Sequence, residues 1–318
     1  MARFIFYGIA FSFLLSISCK DGKQTIKKPV IDKEKINALF HKDVSQLLFN
    51  HLYLVLDSIS YDQLTKNPKW HNAYAQMDMG LPHFSPLDHA ATTCYLRGHQ
   101  HYIEILGPKN SYNEPVGKSG IGFSLQNRTE EHFHLGVAPK LKKDSTAFLS
   151  ATETVRMPIE DQQETWFKAF YTPSAGTALH TWYAFYNPTF LDRLYGQKNK
   201  TYTREAFLQK TYARERLFKC ITAISMVCTL KDYERIVQEM RHLGCRQLQR
   251  KVDVLTIDSG DITLRLKPSA TIPFSRITRI DCQLNNPDHS MVRFGNLTIT
   301  NTGFESIWRL HELYKDIY

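Results

Sequence analysis

One carboxylate is set apart by its surroundings. Glu104 lies inside the apolar run Tyr102-Ile103-Glu104-Ile105-Leu106, where an acidic side chain is seldom buried unless it is paired or ligated. On an exposed edge strand it would need no partner. His51 has a comparable setting, Phe49-Asn50-His51-Leu52-Tyr53-Leu54-Val55, and its imidazole suits either a hydrogen-bonded core or rim group or a metal ligand. Two histidine pairs have the i, i+2 spacing that puts both rings on one strand face. His99 and His101 face away from Glu104 near a turn at Arg97-Gly98, so they are expected in solvent. His132 and His134, beside the acidic Glu130-Glu131, are read the same way. Trp182 shares a face with His180, Ala184 and Tyr186, a row that suits either one wall of a small-molecule pocket or ordinary core packing.

Several other chemistries are excluded by spacing. Gly117-Lys118-Ser119 lacks the first glycine of a phosphate loop, because that position is Tyr112. Gly120-Ile121-Gly122 lacks the third glycine of a dinucleotide fingerprint, where Leu125 stands. His311-Glu312 continues Leu313-Tyr314-Lys315 and cannot form a zinc-binding helix of the His-Glu-x-x-His kind. The sequence has no Gly-x-Ser-x-Gly elbow for serine hydrolysis and no Cys-x-x-Cys pair for zinc or thiol exchange.

The elements that would position these residues repeat. Phe49 to Asp57 alternates like a strand, with Leu52, Leu54 and Leu56 on one face and His51, Tyr53 and Val55 on the other. A helix is expected to start at a Ser60/Gln63 capping box and to stop at Pro68. Later, Ile221 to Cys228 reads as a strand, followed by a helix from Thr229/Asp232 to Leu243 that ends at Gly244. Val55 to Leu64 superposes on Val227 to Ile236 without a gap, pairing Tyr61-Asp62 with Tyr233-Glu234. A hairpin follows each helix, Thr92 to Leu106 and Val252 to Leu266, and then a further strand, near Gly120 to Leu125 and Arg276 to Gln283.

The pattern predicts an α+β protein of two β-α-β-β-β modules, residues 46–125 and 217–318, with a long inserted segment over 126–216 between them. The insert carries strand-like stretches at His132 to Val137, Trp166 to Tyr171 and Leu179 to Tyr186, then a helical region from Thr203. The second module adds a strand near Leu297 to Thr300 and a helix expected from Glu305 to Tyr314.

With the two modules, His51, and the segments Tyr102 to Pro108, Gly120 to Phe123 and Thr181 to Pro188, the chain resembles the vicinal-oxygen-chelate superfamily of glyoxalase, bleomycin-resistance and extradiol-dioxygenase proteins, loosely from Asn50 to Gln283. In that superfamily each module forms half of a cup that holds a divalent metal. The resemblance implies a glyoxalase-like fold in which the two modules form curved mixed sheets, with His51 and Glu104 as ligands of Zn, Ni, Mn or Fe, metals that imidazole and carboxylate suit. Tyr53, Tyr102, Trp182 and Tyr186 become candidates for the lining of a ligand pocket. The second module departs from the pattern: Ala223 stands where His51 would be matched, and Glu104 falls on Leu264 or Leu266, beside Arg265. A metal site would then need further ligands, for which His134, His180, His83 and His89 are candidates.

The N-terminus reads as an address. Arg3, an apolar run from Phe4 to Leu15 and Ser16-Ile17-Ser18-Cys19 follow the order of a secretory signal, and the run is shorter than the ~20 residues of a membrane-spanning helix. Ser18 before Cys19 resembles a lipoprotein signal with Cys19 as the lipidated residue, although Ser16 stands where an aliphatic residue is usual. Residues 1–19 are thus expected to be a signal peptide and 20–45 a polar, Lys-rich tether, which places the protein in the bacterial cell envelope with a lipid anchor in the membrane.

The 318-residue chain is 42% apolar and 12% aromatic, as ordinary globular proteins are, with a net charge of +9. The positive charge is diffuse and lacks the basic stripe with stacking aromatics that a nucleic-acid groove requires. Several of Cys94, Cys220, Cys228, Cys245 and Cys282 lie in apolar alternation, where free thiols act as small hydrophobes, and one or two disulfides are also open. The sequence therefore supports an exported lipoprotein whose cup binds a small molecule. A divalent-metal enzyme of the same superfamily (lyase, isomerase or dioxygenase) and a non-catalytic envelope scaffold are the alternatives.

Overall fold

The computed structural model describes residues 47–125, 151–171, 179–199, 202–251 and 253–311. They form an α+β fold of two curved mixed sheets with few helices. The first sheet is organised around β1 (Leu47–Val55), whose Leu52 and Leu54 enter the main core beside Ile103 and Ile105 of β4 (Tyr102–Leu106). The alternate residues His51 and Tyr53 point to the opposite face, as side-chain alternation requires.

The chain leaves β1 through two short helices. Helix α1 (Ser58–Thr65) is capped by Asp57, whose carboxylate accepts from the Ile59 and Ser60 amides. The cap is thus three residues earlier than the Ser60 of the expected capping box, because a carboxylate at Asp57 satisfies the free first-turn amides directly. Pro68 does not stop a helix but opens α2 (Pro68–Ala73) behind an Asn67 cap, a position where a missing amide hydrogen costs nothing. Then follow β2 (Gln76–Asp78), β3 (Thr93–Arg97), β4 and β5 (Ser119–Leu125).

The insert is not a separate body. Its strands β6 (Ala151–Ile159), β7 (Gln162–Tyr171) and β8 (Leu179–Tyr186) extend the first sheet to the order β2-β3-β4-β1-β5-β8-β7-β6. Its two short helices are α3 (Phe190–Tyr195) and α4 (Arg204–Leu208). The stretch read as a strand at His132 to Val137 lies outside the described residues.

The second half repeats the plan with β9 (Phe218–Thr229), α5 (Leu230–His242), β10 (Arg246–Lys251), β11 (Val254–Asp258), β12 (Thr263–Ser269) and β13 (Arg276–Asp288). Thr229 caps α5, and Gly244 follows it at φ 79°, the left-handed turn that glycine makes without strain. The order is β10-β11-β12-β9-β13-β15-β14, where β14 is Met291–Phe294 and β15 is Leu297–Leu310. In both halves the first strand runs parallel to the fourth and antiparallel to the fifth. Each unit is therefore a four-stranded β-α-β-β-β core with a fifth strand on the far side of its first. The short β2 and β14, the polar β10 and the insert strand β6 are strands that the sequence pattern did not reveal.

The helix expected from Glu305 is a correction. Residues 305–310 continue β15, pairing Arg309 with Arg279 and Ile307 with Asp281. Ser306 and Trp308 are buried while Glu305 and Arg309 are exposed, a period of two that a helix cannot satisfy.

One continuous core takes residues from both units, from Leu54 and Tyr183 to Met226, Met240 and Trp308. Cys94, Cys220, Cys228, Cys245 and Cys282 are buried and free. Polar ties reinforce the junction. Trp308 Nε1 donates to Tyr74 Oη at 2.8 Å, and Asp261 Oδ1 accepts from the Phe49 amide at 2.7 Å. Thr181 and Tyr183 of β8 both donate to Glu239 of α5, which also pairs with Arg235. Among the described residues no helix is long and apolar enough to cross a membrane.

Candidate functional site

The face of the first sheet away from the main core is built from alternate residues of adjacent strands. Register places His51 opposite Tyr102 and Tyr53 opposite Glu104, while Tyr95 stands opposite Glu104 and Arg97 opposite Tyr102. His51 and Glu104 thus share one face, on adjacent parallel strands and two positions apart.

His51 is buried, and burial together with the nearby Arg97 charge holds its imidazole far down, at a pKa of about 3. It is neutral at physiological pH. Asn50 fixes its tautomer: Asn50 Oδ1 accepts from Tyr186 Oη at 2.9 Å and lies 2.7 Å from His51 Nδ1, while Asn50 Nδ2 donates to Ser124 Oγ at 3.3 Å. With Oδ1 the acceptor, Nδ1 carries the proton and Nε2 presents a lone pair. Among the described residues no hydrogen bond reaches Nε2. Asn50 should point to the opposite face from its neighbour, but a register shift between Phe49 and His51 re-aims the strand there.

Glu104 is half-buried and, among the described residues, accepts one hydrogen bond, from Tyr95 Oη at 3.0 Å. Burial raises its carboxyl to about 7, opposed by the Tyr95 hydrogen bond and the Arg97 charge. Arg97 does not pair with Glu104. Its guanidinium binds Asp78 through two 3.0 Å hydrogen bonds, both side chains being buried, and stacks over the Tyr95 and Tyr102 rings at 4.6 and 4.9 Å.

The four aromatic candidates all reach this face, where they pack on one another and on the imidazole. Tyr102 stacks on His51 with ring centroids 4.3 Å apart, and Trp182 meets His51 edge-on at 5.0 Å. Tyr53 lies 6.0 Å from Trp182, and Tyr186 stacks on Tyr202 at 4.2 Å. The indole rests on a glycine floor: a Cβ at Gly122 would sit 2.5 Å from Trp182, and one at Gly120 would sit 2.7 Å from Trp182 and 2.5 Å from Tyr53. Close approach is why these positions are glycine. The four rings therefore act as packed walls of the site, and Glu104 and His51 Nε2 keep open polar capacity among the described residues.

The settings of the other histidines differ. His83 and His89 are exposed in the loop between β2 and β3. His134 lies outside the described residues, and His180 occupies the β8 position paired with Gly120. His101 is a correction, since it is buried rather than solvated: Nδ1 accepts from the Ile221 amide at 3.0 Å, and Nε2 reaches Asp261, which also binds Arg204. The turn beside it docks against β9 through Gly98 and His99, so the pair is covered by the second unit. Among the described residues no group of three His, Cys, Asp or Glu side chains is arranged to hold a metal ion.

Register also defines the matching positions of the second unit. Ala223 pairs with Thr263, and Ser225 with Arg265. The counterpart of Glu104 is therefore Arg265, not Leu264 or Leu266, which are core residues on the other face. On the fifth strand Gly122 and Gly120 are replaced by Asp281 and Arg279.

A family model matches residues 49–310, nearly the whole described region. The chain belongs to DUF5829, a family of unknown function. No curated protein matches this DUF5829 member. Among solved structures, a hypothetical protein from Staphylococcus aureus is similar at 11% identity and a TM-score of 0.43, covering 72% of this chain and 88% of that one. A xylose isomerase-like TIM barrel/4-hydroxyphenylpyruvate dioxygenase fusion protein is similar at 10% identity and a TM-score of 0.41, covering 73% of this chain and 36% of the fusion.

Two parts of the site escaped the sequence reading. Asn50 did because the strand irregularity that turns it is not written in the alternation. The Asp78–Arg97 pair did because β2 is only three residues long, although Tyr95 and Arg97 share the parity of a face and could have been placed with Glu104 once β3 and β4 were paired.

Proposed function

We propose that the Glu104 face of the first unit binds a small molecule. The observation that carries this reading is a half-buried carboxylate with one hydrogen bond from Tyr95, although a carboxylate can accept about four, beside an imidazole whose Nε2 lone pair is oriented and unused among the described residues. Retaining two under-satisfied polar groups among aromatic rings costs stability, and perturbed, partly desolvated groups of this kind concentrate at binding and catalytic sites. A ligand with hydrogen-bond donors would satisfy both.

A second reading has support from Asn50. A hydrogen-bonded Nδ1 that aims Nε2 outward is the outer-shell arrangement of metal-binding histidines, so His51 and Glu104 would serve as two ligands of a divalent ion polarising a substrate oxygen. Two protein ligands are fewer than the three usual at catalytic zinc sites, which leaves the small-molecule reading ahead.

Native mass spectrometry and metal analysis of the purified protein test both. A co-purifying organic mass that is lost in Glu104→Gln and His51→Ala supports the binder, and stoichiometric metal lost in the same variants supports the metal site. Folded protein carrying neither sinks both readings in favour of a scaffold. The pH profile supplies an independent check. Glu104 ionises from 4.5 in the unfolded chain and about 7 in the folded one, so between those values the folded state holds more protons and its contribution to stability falls as pH rises. Glu104→Gln is expected to flatten that decline in thermal melts taken across the window.

We also propose that residues 1–19 export the chain and that Cys19 carries the lipid anchor, on the strength of the apolar run and the Ser18-Cys19 junction. In a bacterial host Cys19→Ser is expected to move the protein from the membrane fraction to the soluble fraction. An unchanged membrane fraction would refute the anchor.

A further inference from the structure

The second unit's counterpart of the Glu104 face is built from opposite charge. Its floor is the small-residue row Ala223, Ser225 and Val227 of β9, in place of His51, Tyr53 and Val55. On one side stands Arg265 of β12, in register with Ser225. On the other stands Arg279 of β13, in register with the same Ser225. Both guanidinium groups are held by one carboxylate, with Arg265 donating to Asp281 Oδ2 at 2.5 Å and Arg279 Nε donating to Asp281 Oδ1. The two arginine side chains keep 38% and 39% of their surface exposed, against 15% for Asp281.

The cluster carries two positive charges and one negative, and parity adds Lys267 beside Arg265 and Arg309 across from Arg279. In the first unit the insert strand β8 lays Trp182 over the floor. In the second unit β13 is followed by β15, whose residues opposite Asp281 and Arg279 are Ile307 and Arg309. No aromatic ring takes the place of Trp182 at those positions.

We infer that this face of the second unit is an anion-binding site for a phosphate group, held between Arg265 and Arg279. Planar guanidinium groups bind phosphate oxygens through paired N–H donors. Asp281 sets the two forks at fixed positions on either side of a floor of small side chains, which is the preorganisation that distinguishes a site from diffuse surface charge. The site does not depend on the function assigned to the Glu104 face.

The test is a titration of the full chain with inorganic phosphate at low ionic strength, followed by calorimetry or amide NMR, alongside sedimentation with phosphatidylglycerol vesicles. Arg265→Gln/Arg279→Gln is the site variant, and Arg246→Gln, whose side chain is 75% exposed and pairs with Asp258 at the sheet edge, is the charge-matched control for one removed arginine. Saturable phosphate binding that weakens about tenfold or more in the double variant, a change of about 1.4 kcal/mol, and stays unchanged in the control assigns the site to free phosphate. Vesicle binding with the same dependence and no saturable phosphate binding assigns it to a lipid headgroup. Binding that falls as much in the Arg246→Gln control as in the double variant, or binding of neither probe, overturns the proposal. Circular dichroism of the double variant, whose changed side chains are partly exposed, separates loss of binding from loss of fold.

Discussion

Replacing Arg97 with leucine is expected to cost about 3–5 kcal/mol of stability, the usual penalty for breaking a buried ion pair from one side. The structure gives this pair little means of relaxing. Asp78 is fully buried, and both its carboxylate oxygens are taken by the one guanidinium, apart from the Gly80 amide at 2.7 Å on Oδ1. Removing the arginine strands the carboxylate among aromatic rings, and it removes the plane on which Tyr95 and Tyr102 stack. Adding Asp78→Asn to Arg97→Leu should recover part of the loss, because the remaining group is then uncharged. Urea midpoints of the wild type, both single variants and the double variant measure this coupling. Equal midpoints for Arg97→Leu and wild type would mean that the pair is not buried.

The second large effect is at Trp308. Truncation to alanine is expected to cost about 3–5 kcal/mol, the range for deleting a large buried aromatic side chain, since the residue is fully buried against Trp70 and Tyr74. The indole also donates to Tyr74 Oη, which is bonded in turn to Ser306 Oγ at 2.8 Å. Loss of the indole therefore opens a cavity and removes a polar tie between α2 and the second sheet together. Met291→Ser on the neighbouring β14, where the side chain is 73% exposed, should change stability by no more than about 0.5 kcal/mol. Thermal denaturation of the two variants side by side gives the comparison. A Trp308→Ala melt that matches Met291→Ser would contradict the packing described.

The repeat was legible in the sequence because it rests on local signals. The strand alternation of β1 and β9, the Thr229 cap and Gly244 are each set by residues within a few positions of one another, and the ungapped match of Val55 to Leu64 with Val227 to Ile236 follows from them. Glu104 was legible for a different reason: a carboxylate flanked by isoleucines has few stable explanations. What was hidden depends on distant partners. β15 carries an apolar run that reads equally as helix until β13 is known to lie beside it. His101 stands at a turn that the sequence marks as exposed, and only the docking of β9 buries it. The Arg265 match was missed by one residue, because the parity of a strand can be placed only when its register with a neighbour is fixed.

The contact between Trp182 and the two glycines of β5 makes the three positions interdependent. A larger residue at 120 or 122 can be accepted only if 182 shrinks, and a smaller residue at 182 leaves a void above a floor with no side chains to fill it. Among DUF5829 chains that keep β8 against β5, substitutions at these positions should accordingly occur together, whereas Asp281 and Arg279, which hold each other by an ion pair, are not tied to a ring of this kind.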